Sequence, residues 1–428
     1  MASFTDRFIA QLELARPDFE ALFSPHTSSP LEERLSQRVR ANWHPLPEVA
    51  DGTTPRRPLG DDAALAAYRP APSSTAGDFG AVYAIDGSEA TRNFSNAAWL
   101  IIGQALLIGP GLEVPSLELR LVPGNVPSSA VDSYCSRLMR WLELRLALEH
   151  LGRLTGQTLI LDGSLYSILP FLLHPLRELK GQLGCADDAD LPLRILEGYL
   201  DLLEACRRQD VLLLGISKTT QDRVLTSTLL RLPDDLDVIS VDMDDQPDGL
   251  DESRVPPDAE ALQRWTGGLP GFSSPVLLGL QSFGRRRETL ISAPEEIAEA
   301  FGPYSRYSPQ RVGSIIERLR QAPAVATFHV RFAPGEDCLR VDLPAYAIGR
   351  ADRLVDFSSG LATAEPLEPI VRLLRGCYGG PQVYNAPLYA VDKQVRLSND
   401  MVDGAFLSIL RSTVGPELHY NRSARRFL

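Results

Sequence analysis

Two short apolar segments end in the same tripeptide, VYAIDGS at residues 82–88 and TLILDGS at residues 158–164. Aliphatic and β-branched runs of this length are typical of buried strands, so each segment places an aspartate, Asp86 or Asp162, where we expect the strand to end and glycine to turn the chain. Two such strands side by side would bring the carboxylates together, and their repulsion would need a divalent cation or a shared proton. The sequence therefore predicts a metal site. The alternative is that Asp-Gly-Ser is only a favourable turn sequence.

Composition narrows the class of protein. The 428 residues are 44% hydrophobic, which predicts a packed globular protein with two lobes or one domain with insertions. No apolar stretch has membrane-spanning length and the N-terminus lacks a signal-peptide pattern, so we expect a cytoplasmic protein without a membrane partner. The five scattered cysteines form no C-x-x-C pair, which predicts reduced, mostly buried thiols. The net charge of -12 argues against nonspecific coating of nucleic acid but leaves an enzyme acting on nucleic acid open.

The order of predicted elements indicates the fold class. The expected elements are helices at 3–22 and 30–40, strands at 82–88, 97–108 and 117–122, a helix at 129–153, a strand at 158–162, a helix at 193–208, a strand at 211–216 and a helix at 219–232. A three-strand meander followed by strands joined through helices is the pattern of a ribonuclease-H-like α/β core, with a mixed sheet and flanking helices.

Changes in composition along the chain predict its domain organisation. We expect an N-terminal helical segment and linker at 1–76, a main domain at 77–412 and a basic tail at 413–428. An insertion at 233–260 is rich in acids and prolines, which is typical of a solvated segment. A calcium loop built on Asp242, Asp244 and Asp248 is disfavoured because the central glycine and terminal glutamate are missing.

A core of this type also needs an acid on its first helix. Glu143 and Glu149 are the candidates, and we favour Glu143 because it lies between apolar residues of the predicted helix. The alternative is that Glu143 is peripheral and forms an ion pair with Arg140 or Arg145, which helical spacing also allows.

With these motifs in place, the chain resembles the NurA nuclease family. The matching segments are 84–88, 143–147, 161–165, 214–219 and, more weakly, 384–388, and the resemblance spans roughly residues 80–410. It implies a ribonuclease-H-like fold in which the acids at Asp86, Glu143 and Asp162 bind manganese and cut DNA. It also implies a homodimer that binds HerA, a ring-shaped hexameric DNA-translocating ATPase, and trims DNA ends.

The C-terminal motif departs from the family pattern, because Asp392 stands where the family has a histidine. Aspartate is itself a ligand for hard cations, so activity can survive with a shift from Mn²⁺ toward Mg²⁺. The substitution also leaves open a weakened or inactive relative that serves as an adaptor for the ATPase.

The chemistry expected of such a site is hydrolysis with two cations. Asp86 would bridge both ions, Glu143 and Asp162 would hold one each, and Asp392 would assist. Lys218 follows a predicted strand and is placed to meet a phosphate or orient water. The glycines that a phosphate-binding loop needs before Lys218 are absent, so energy for movement along DNA would come from a partner. Phosphoryl transfer on RNA or a small nucleotide is an alternative function, because it would use the same cations and differ only in substrate.

Other polar residues carry weaker expectations. Tyr384 matches the family's tyrosine near the metal, but it is equally well explained as a packing residue. His329, in a predicted strand at 325–332, is expected to be structural. Ser88 and Ser164 lack the surroundings of a nucleophile and are expected to cap the next turn or helix. Arginines that could meet phosphates cluster at 285–287 and at Arg422, Arg425 and Arg426.

Overall fold

The structure is a computed structural model. It describes residues 4–23, 30–47, 80–122, 124, 126–167, 169–176, 190–218, 221–232, 240–241, 255–280, 286–302, 306–356 and 359–414. Most of the predicted linker and acidic insertion, together with residues 242–254, 285 and the tail arginines, lie outside the described residues. The domain boundaries therefore stay a prediction.

The strands of the described residues are β1 (Trp43–His44), β2 (Val82–Asn93), β3 (Trp99–Gly109), β4 (Leu112–Val122), β5 (Thr158–Asp162), β6 (Leu212–Ser217), β7 (Ser240–Val241), β8 (Gly271–Ser273), β9 (Val276–Leu278), β10 (Val325–Arg331), β11 (Leu339–Pro344) and β12 (Ser359–Leu361). The α-helices are α1 (Phe4–Phe23), α2 (Pro30–Ala41), α3 (Ser128–His150), α4 (Leu169–Leu172), α5 (Leu191–Arg208), α6 (Val224–Arg231), α7 (Asp258–Trp265), α8 (Arg286–Ser292), α9 (Pro294–Phe301), α10 (Pro309–Gln321), α11 (Glu368–Cys377), α12 (Ala386–Val395) and α13 (Leu407–Val414). A π-helix, Met401–Phe406, leads into α13.

The described strands form one mixed sheet in the order β4-β3-β2-β5-β6-β11-β10-β9-β12-β7, and β8 joins β10 to β1. β2, β3 and β4 form an antiparallel meander. β5 runs parallel to β2, and β6 runs parallel to β5. This half of the sheet is the predicted ribonuclease-H-like core. The sequence did not predict how β11 continues the sheet antiparallel to β6.

Alternating residues of the central strands pack on opposite faces of the sheet. Tyr83 and Ile85 join a core cluster with α3 and α5. Val82 and Ala84 join a second cluster with α11 and α12. The strands carry apolar residues on both faces because helices cover both sides, as expected for parallel strands. The C-terminal helix α12 thereby lies on the same strand that carries Asp86.

Several predicted boundaries were wrong. β2 does not end at Asp86-Gly87-Ser88 but continues to Asn93, because its partner β3 is long enough to pair with it throughout. β4 begins at Leu112, five residues before the predicted start at 117, and α6 begins at Val224 rather than at residue 219. No helix in the described ranges is long and apolar enough to span a membrane.

Candidate metal centre

Asp86 lies within β2, opposite Leu106 of β3, and is 7% exposed. It follows Val82 and Ala84 on the face that α12 covers. Its Oδ1 accepts a hydrogen bond of 2.7 Å from the backbone N–H of Gly87. The carboxylate therefore lies within a strand, one residue beyond the part of β2 that pairs with β5, and not at a strand exit.

Gly87 does not form a turn; it allows α3 to pack close to β2. A Cβ atom at this position would lie 2.4 Å from Met139 Cγ and 2.8 Å from Glu143 Oε1. The missing side chain thus lets a helical carboxylate come down to the strand beside Asp86.

Glu143 is the acid that α3 directs inward. It is 1% exposed, whereas the side chain of Glu149 is 58% exposed and lies 3.8 Å from Arg145. Glu143 also forms an ion pair of 2.5 Å with Arg140, so the inward carboxylate and the ion pair occur together although the sequence presented them as alternatives. Sequence reasoning considered Arg140 only as a peripheral partner.

Asp162 ends β5 beside Ile216 of β6. Here the predicted turn is present, because Gly163 has φ of 102°, a conformation that L side chains rarely adopt. Arg140 donates to the Asp162 carbonyl oxygen at 3.3 Å. Lys218, one residue after β6, places its Nζ 3.1 Å from Asp162 Oδ2. The second Asp-Gly-Ser therefore behaves as expected, and the first does not.

Tyr384 and Asp392 reach the same region from the C-terminal part of the chain. Lys218 Nζ lies 4.7 Å from the centroid of the Tyr384 ring, within the range of a cation–π contact. The buried Tyr384 hydroxyl lies close enough to Lys218 to raise the pKa of the ammonium group. Asp392, on α12, is near enough to Asp86 to raise the pKa of that carboxyl. The structure thus brings together all six site residues predicted from the sequence.

The electrostatics of these residues follow from burial and crowding. Burial, followed by the charge of Asp162, raises the pKa of Asp86 to about 6. Burial raises the pKa of Glu143 to about 7, against the opposing effect of Arg140, and the charges of Asp86 and Asp162 add to the rise. Burial raises the pKa of Tyr384 to about 12. Burial opposes the charge of Lys218, but Asp162 and Tyr384 hold its pKa above the ordinary value. Burial and like charges thus disfavour the ionised forms of both Asp86 and Glu143.

The donor chemistry fits a hard divalent cation, since carboxylate oxygens are the ligands that Mn²⁺ and Mg²⁺ take. Within the described ranges, however, no three His, Cys, Asp or Glu side chains are grouped so that they could hold one ion. Arg140 and Lys218 are paired with Glu143 and Asp162 instead. The set Asp86, Glu143, Asp162 and Asp392 therefore remains a proposed ligand set.

The other candidates lie elsewhere or have structural roles. His329 is 2% exposed, its Nε2 lies 3.8 Å from Asp258 Oδ2, and burial lowers its pKa to about 4, as expected for a structural histidine. The four described cysteines, Cys135, Cys206, Cys338 and Cys377, are free and buried. Ser164 accepts hydrogen bonds from Tyr166 and Ser167 N–H, as predicted for a turn. Ser88 caps neither a turn nor a helix, because it lies within β2, and its hydroxyl accepts from Leu397 N–H at 3.0 Å.

Comparison with known proteins gives a family and a fold. A family model described as the NurA domain matches residues 80–397. The chain is similar to the crystal structure of the NurA nuclease from Sulfolobus solfataricus, with 16% identity over 97% of this chain and 98% of that chain and a TM-score of 0.51. It is also similar to a NurA crystal structure bound to dAMP and manganese, with 12% identity over 95% of each chain and a TM-score of 0.48. No curated protein matches the chain.

Proposed function

The chain belongs to the NurA domain family, and from this premise we propose that it is a metal-dependent DNA nuclease that hydrolyses phosphodiester bonds at single- and double-stranded DNA ends. One observation carries the proposal most directly. Carboxylates of β2, α3 and β5 come together: the charge of Asp162 adds to burial in raising the pKa of Asp86, and the charges of Asp86 and Asp162 add to burial in raising the pKa of Glu143. Such crowding of like charges costs folding free energy and is typical of functional sites.

We propose Mn²⁺ or Mg²⁺, bound as two ions, as the cofactor. Asp86, Glu143 and Asp162 would hold the ions, and Asp392 would assist. When bound, the cations supply an activated water and neutralise charge on the phosphate. Because Arg140 and Lys218 are paired with Glu143 and Asp162, both basic side chains would have to release these acids for cations to be held there.

Lys218 is proposed to bind a phosphate oxygen of the substrate. Its ammonium group lies between Asp162 and the Tyr384 ring, so it stays charged and is held at the edge of the acid cluster. The Tyr384 hydroxyl lies beside Lys218 and would donate to the same phosphate. In this proposal the two groups would bind the phosphate at the candidate metal centre although the net charge of the protein is -12.

The proposed partners are DNA, a second copy of the chain and a hexameric HerA-like ATPase, in end resection, repair or defence. The support is family membership together with the absence of a phosphate-binding loop around Lys218 in the sequence. The chain would cut, and the partner would supply movement along DNA.

A second candidate function is a catalytically weakened adaptor that binds and regulates the ATPase. Two points favour it: the resemblance to the family puts Asp392 where the family has a histidine, and basic side chains are paired with two of the acids.

A nuclease assay separates the two functions. Wild type is compared with Asp86→Asn on single- and double-stranded DNA with Mn²⁺ or Mg²⁺. Asp201→Asn is the matched control, because Asp201 is paired with Arg318 on the surface of α5, away from the acids. Metal-dependent cleavage by wild type and the control, lost in Asp86→Asn, supports the nuclease. Equal cleavage by wild type and Asp86→Asn, or none by wild type, supports the adaptor.

A further inference from the structure

A buried ion pair lies behind the turn that carries Asp162. Arg340 and Asp342 of β11 are 2% and 0% exposed, and Arg340 Nε donates to Asp342 Oδ1 at 2.9 Å. Arg340 also donates to Thr327 Oγ1 at 3.0 Å and forms an ion pair with Asp222. Removing two charges from water costs about as much as their attraction returns, so such a pair is weak evidence for stability alone. Its contacts indicate what else it provides.

Ser164 connects this pair to the candidate metal centre. Its hydroxyl donates to Asp342 Oδ2 and accepts from Tyr166 N–H at 3.1 Å and from Ser167 N–H at 3.0 Å. The hydroxyl hydrogen and its acceptor oxygen are therefore both used.

The turn is also held from its other end. Gly163 N–H donates to the Ile216 carbonyl oxygen of β6 at 2.8 Å. Residues 163 and 164 are thus bonded to two neighbouring strands, β6 and β11, directly after Asp162. These two bonds restrain the backbone directly after Asp162.

We propose that Ser164 is a positioning residue, which fixes the Asp162 carboxylate through its hydrogen bond to the buried Arg340–Asp342 pair. The proposal rests on the proposed function in taking Asp162 as a cation ligand. Groups that orient a ligand from behind commonly change metal affinity by roughly 10- to 100-fold when they are removed.

The test compares Ser164→Ala with wild type in two measurements on the full chain. Ser116→Ala is the matched control, because the Ser116 hydroxyl also links two elements, accepting from Arg145 of α3 at 2.9 Å, but touches none of the acids. Hydrogen exchange is followed in the peptide covering residues 158–167 without metal, and Mn²⁺ binding is measured by calorimetry. Ser164→Thr restores a hydroxyl at the same position.

We expect Ser164→Ala to exchange faster in this peptide and to bind Mn²⁺ roughly 10-fold or more weakly, with Ser116→Ala unchanged and Ser164→Thr nearer to wild type. Unchanged exchange in Ser164→Ala overturns the proposal, whether or not Mn²⁺ binds. Faster exchange with unchanged Mn²⁺ affinity overturns it as well, because Asp162 then needs no fixed turn. If wild type itself binds no Mn²⁺, the proposed function fails, and the exchange measurement still decides whether Ser164 holds the turn.

Discussion

At the scale of single residues, two acids of the candidate centre, when ionised, destabilise the metal-free folded protein. Asp86 and Glu143 are buried, and burial together with nearby like charges outweighs the opposing effects of Arg140 and Lys218, so ionisation is disfavoured at both positions. The pKa of Asp86 is raised to about 6 from 3.8 and that of Glu143 to about 7 from 4.5. Because the folded protein holds these protons more tightly than the unfolded chain, their contribution to stability is present below about pH 4 and is lost as pH rises through 6 to 7.

Asp86→Asn removes one of these charges while keeping the shape of the side chain. We expect the metal-free variant to be more stable than wild type at pH 8 by about 1 to 3 kcal/mol, since one pKa unit corresponds to roughly 1.4 kcal/mol. At pH 4 the difference should nearly vanish. Urea unfolding at the two pH values measures it, and a variant less stable than wild type at pH 8 contradicts the electrostatic account.

Arg140 is the positive charge nearest to Glu143 and opposes the rise in the pKa of Glu143. Arg140→Gln should therefore raise that pKa further and move the acidic limb of the nuclease pH profile upward by about one unit. Arg145→Gln is the control, because Arg145 lies on the same helix but faces Glu118 and Glu149. An unshifted acidic limb in Arg140→Gln, with activity retained, would show that Glu143 does not need to be ionised.

At the scale of elements, the contact between β2 and α3 depends on a residue without a side chain. Gly87→Ala would place a methyl group 2.4 Å from Met139 Cγ and 2.8 Å from Glu143 Oε1. Overpacking of this kind costs about 1 to 3 kcal/mol, and we expect most nuclease activity to be lost because Glu143 is pushed away from Asp86. Gly152→Ala, which meets nothing within 4 Å, should leave stability and cleavage nearly unchanged. Urea unfolding and DNA cleavage of both variants test this.

The sequence predicted those strands and helices that are marked by a pattern of apolar residues within the element itself. Apolar runs located β2 and β5 and a helical pattern located α3, and the order of the predicted elements implied the β4-β3-β2-β5-β6 half of the sheet. The extent of β2 could not be predicted, because Asp-Gly-Ser favours a turn locally and only pairing with β3 keeps the strand extended. For the same reason two identical tripeptides have different conformations. The Ser164 bond to Asp342 joins residues 178 apart in the chain, and no local pattern marks such a contact.

At the scale of the whole molecule, the candidate centre joins parts of the chain that are otherwise far apart. Its acids come from β2, α3, β5 and α12, and the turn after β5 is bonded to β11 in the other half of the sheet. A ligand that holds these elements together binds the folded chain and not the unfolded one. Its binding free energy is therefore added to the stability of the fold.

Mn²⁺ should accordingly stabilise the whole chain. At 100 times its dissociation constant, one bound ion raises the free energy of unfolding by about 2.7 kcal/mol, and EDTA should reverse the effect. The gain should be larger at pH 8 than at pH 5.5, because protons compete for Asp86 and Glu143, whose pKa values are about 6 and 7. Asp86→Asn should lose most of the gain, whereas Asp201→Asn, altered in a surface ion pair, should keep it. Thermal unfolding with and without Mn²⁺ measures the effect. Equal stabilisation of wild type and Asp86→Asn would place the bound ion elsewhere on the protein.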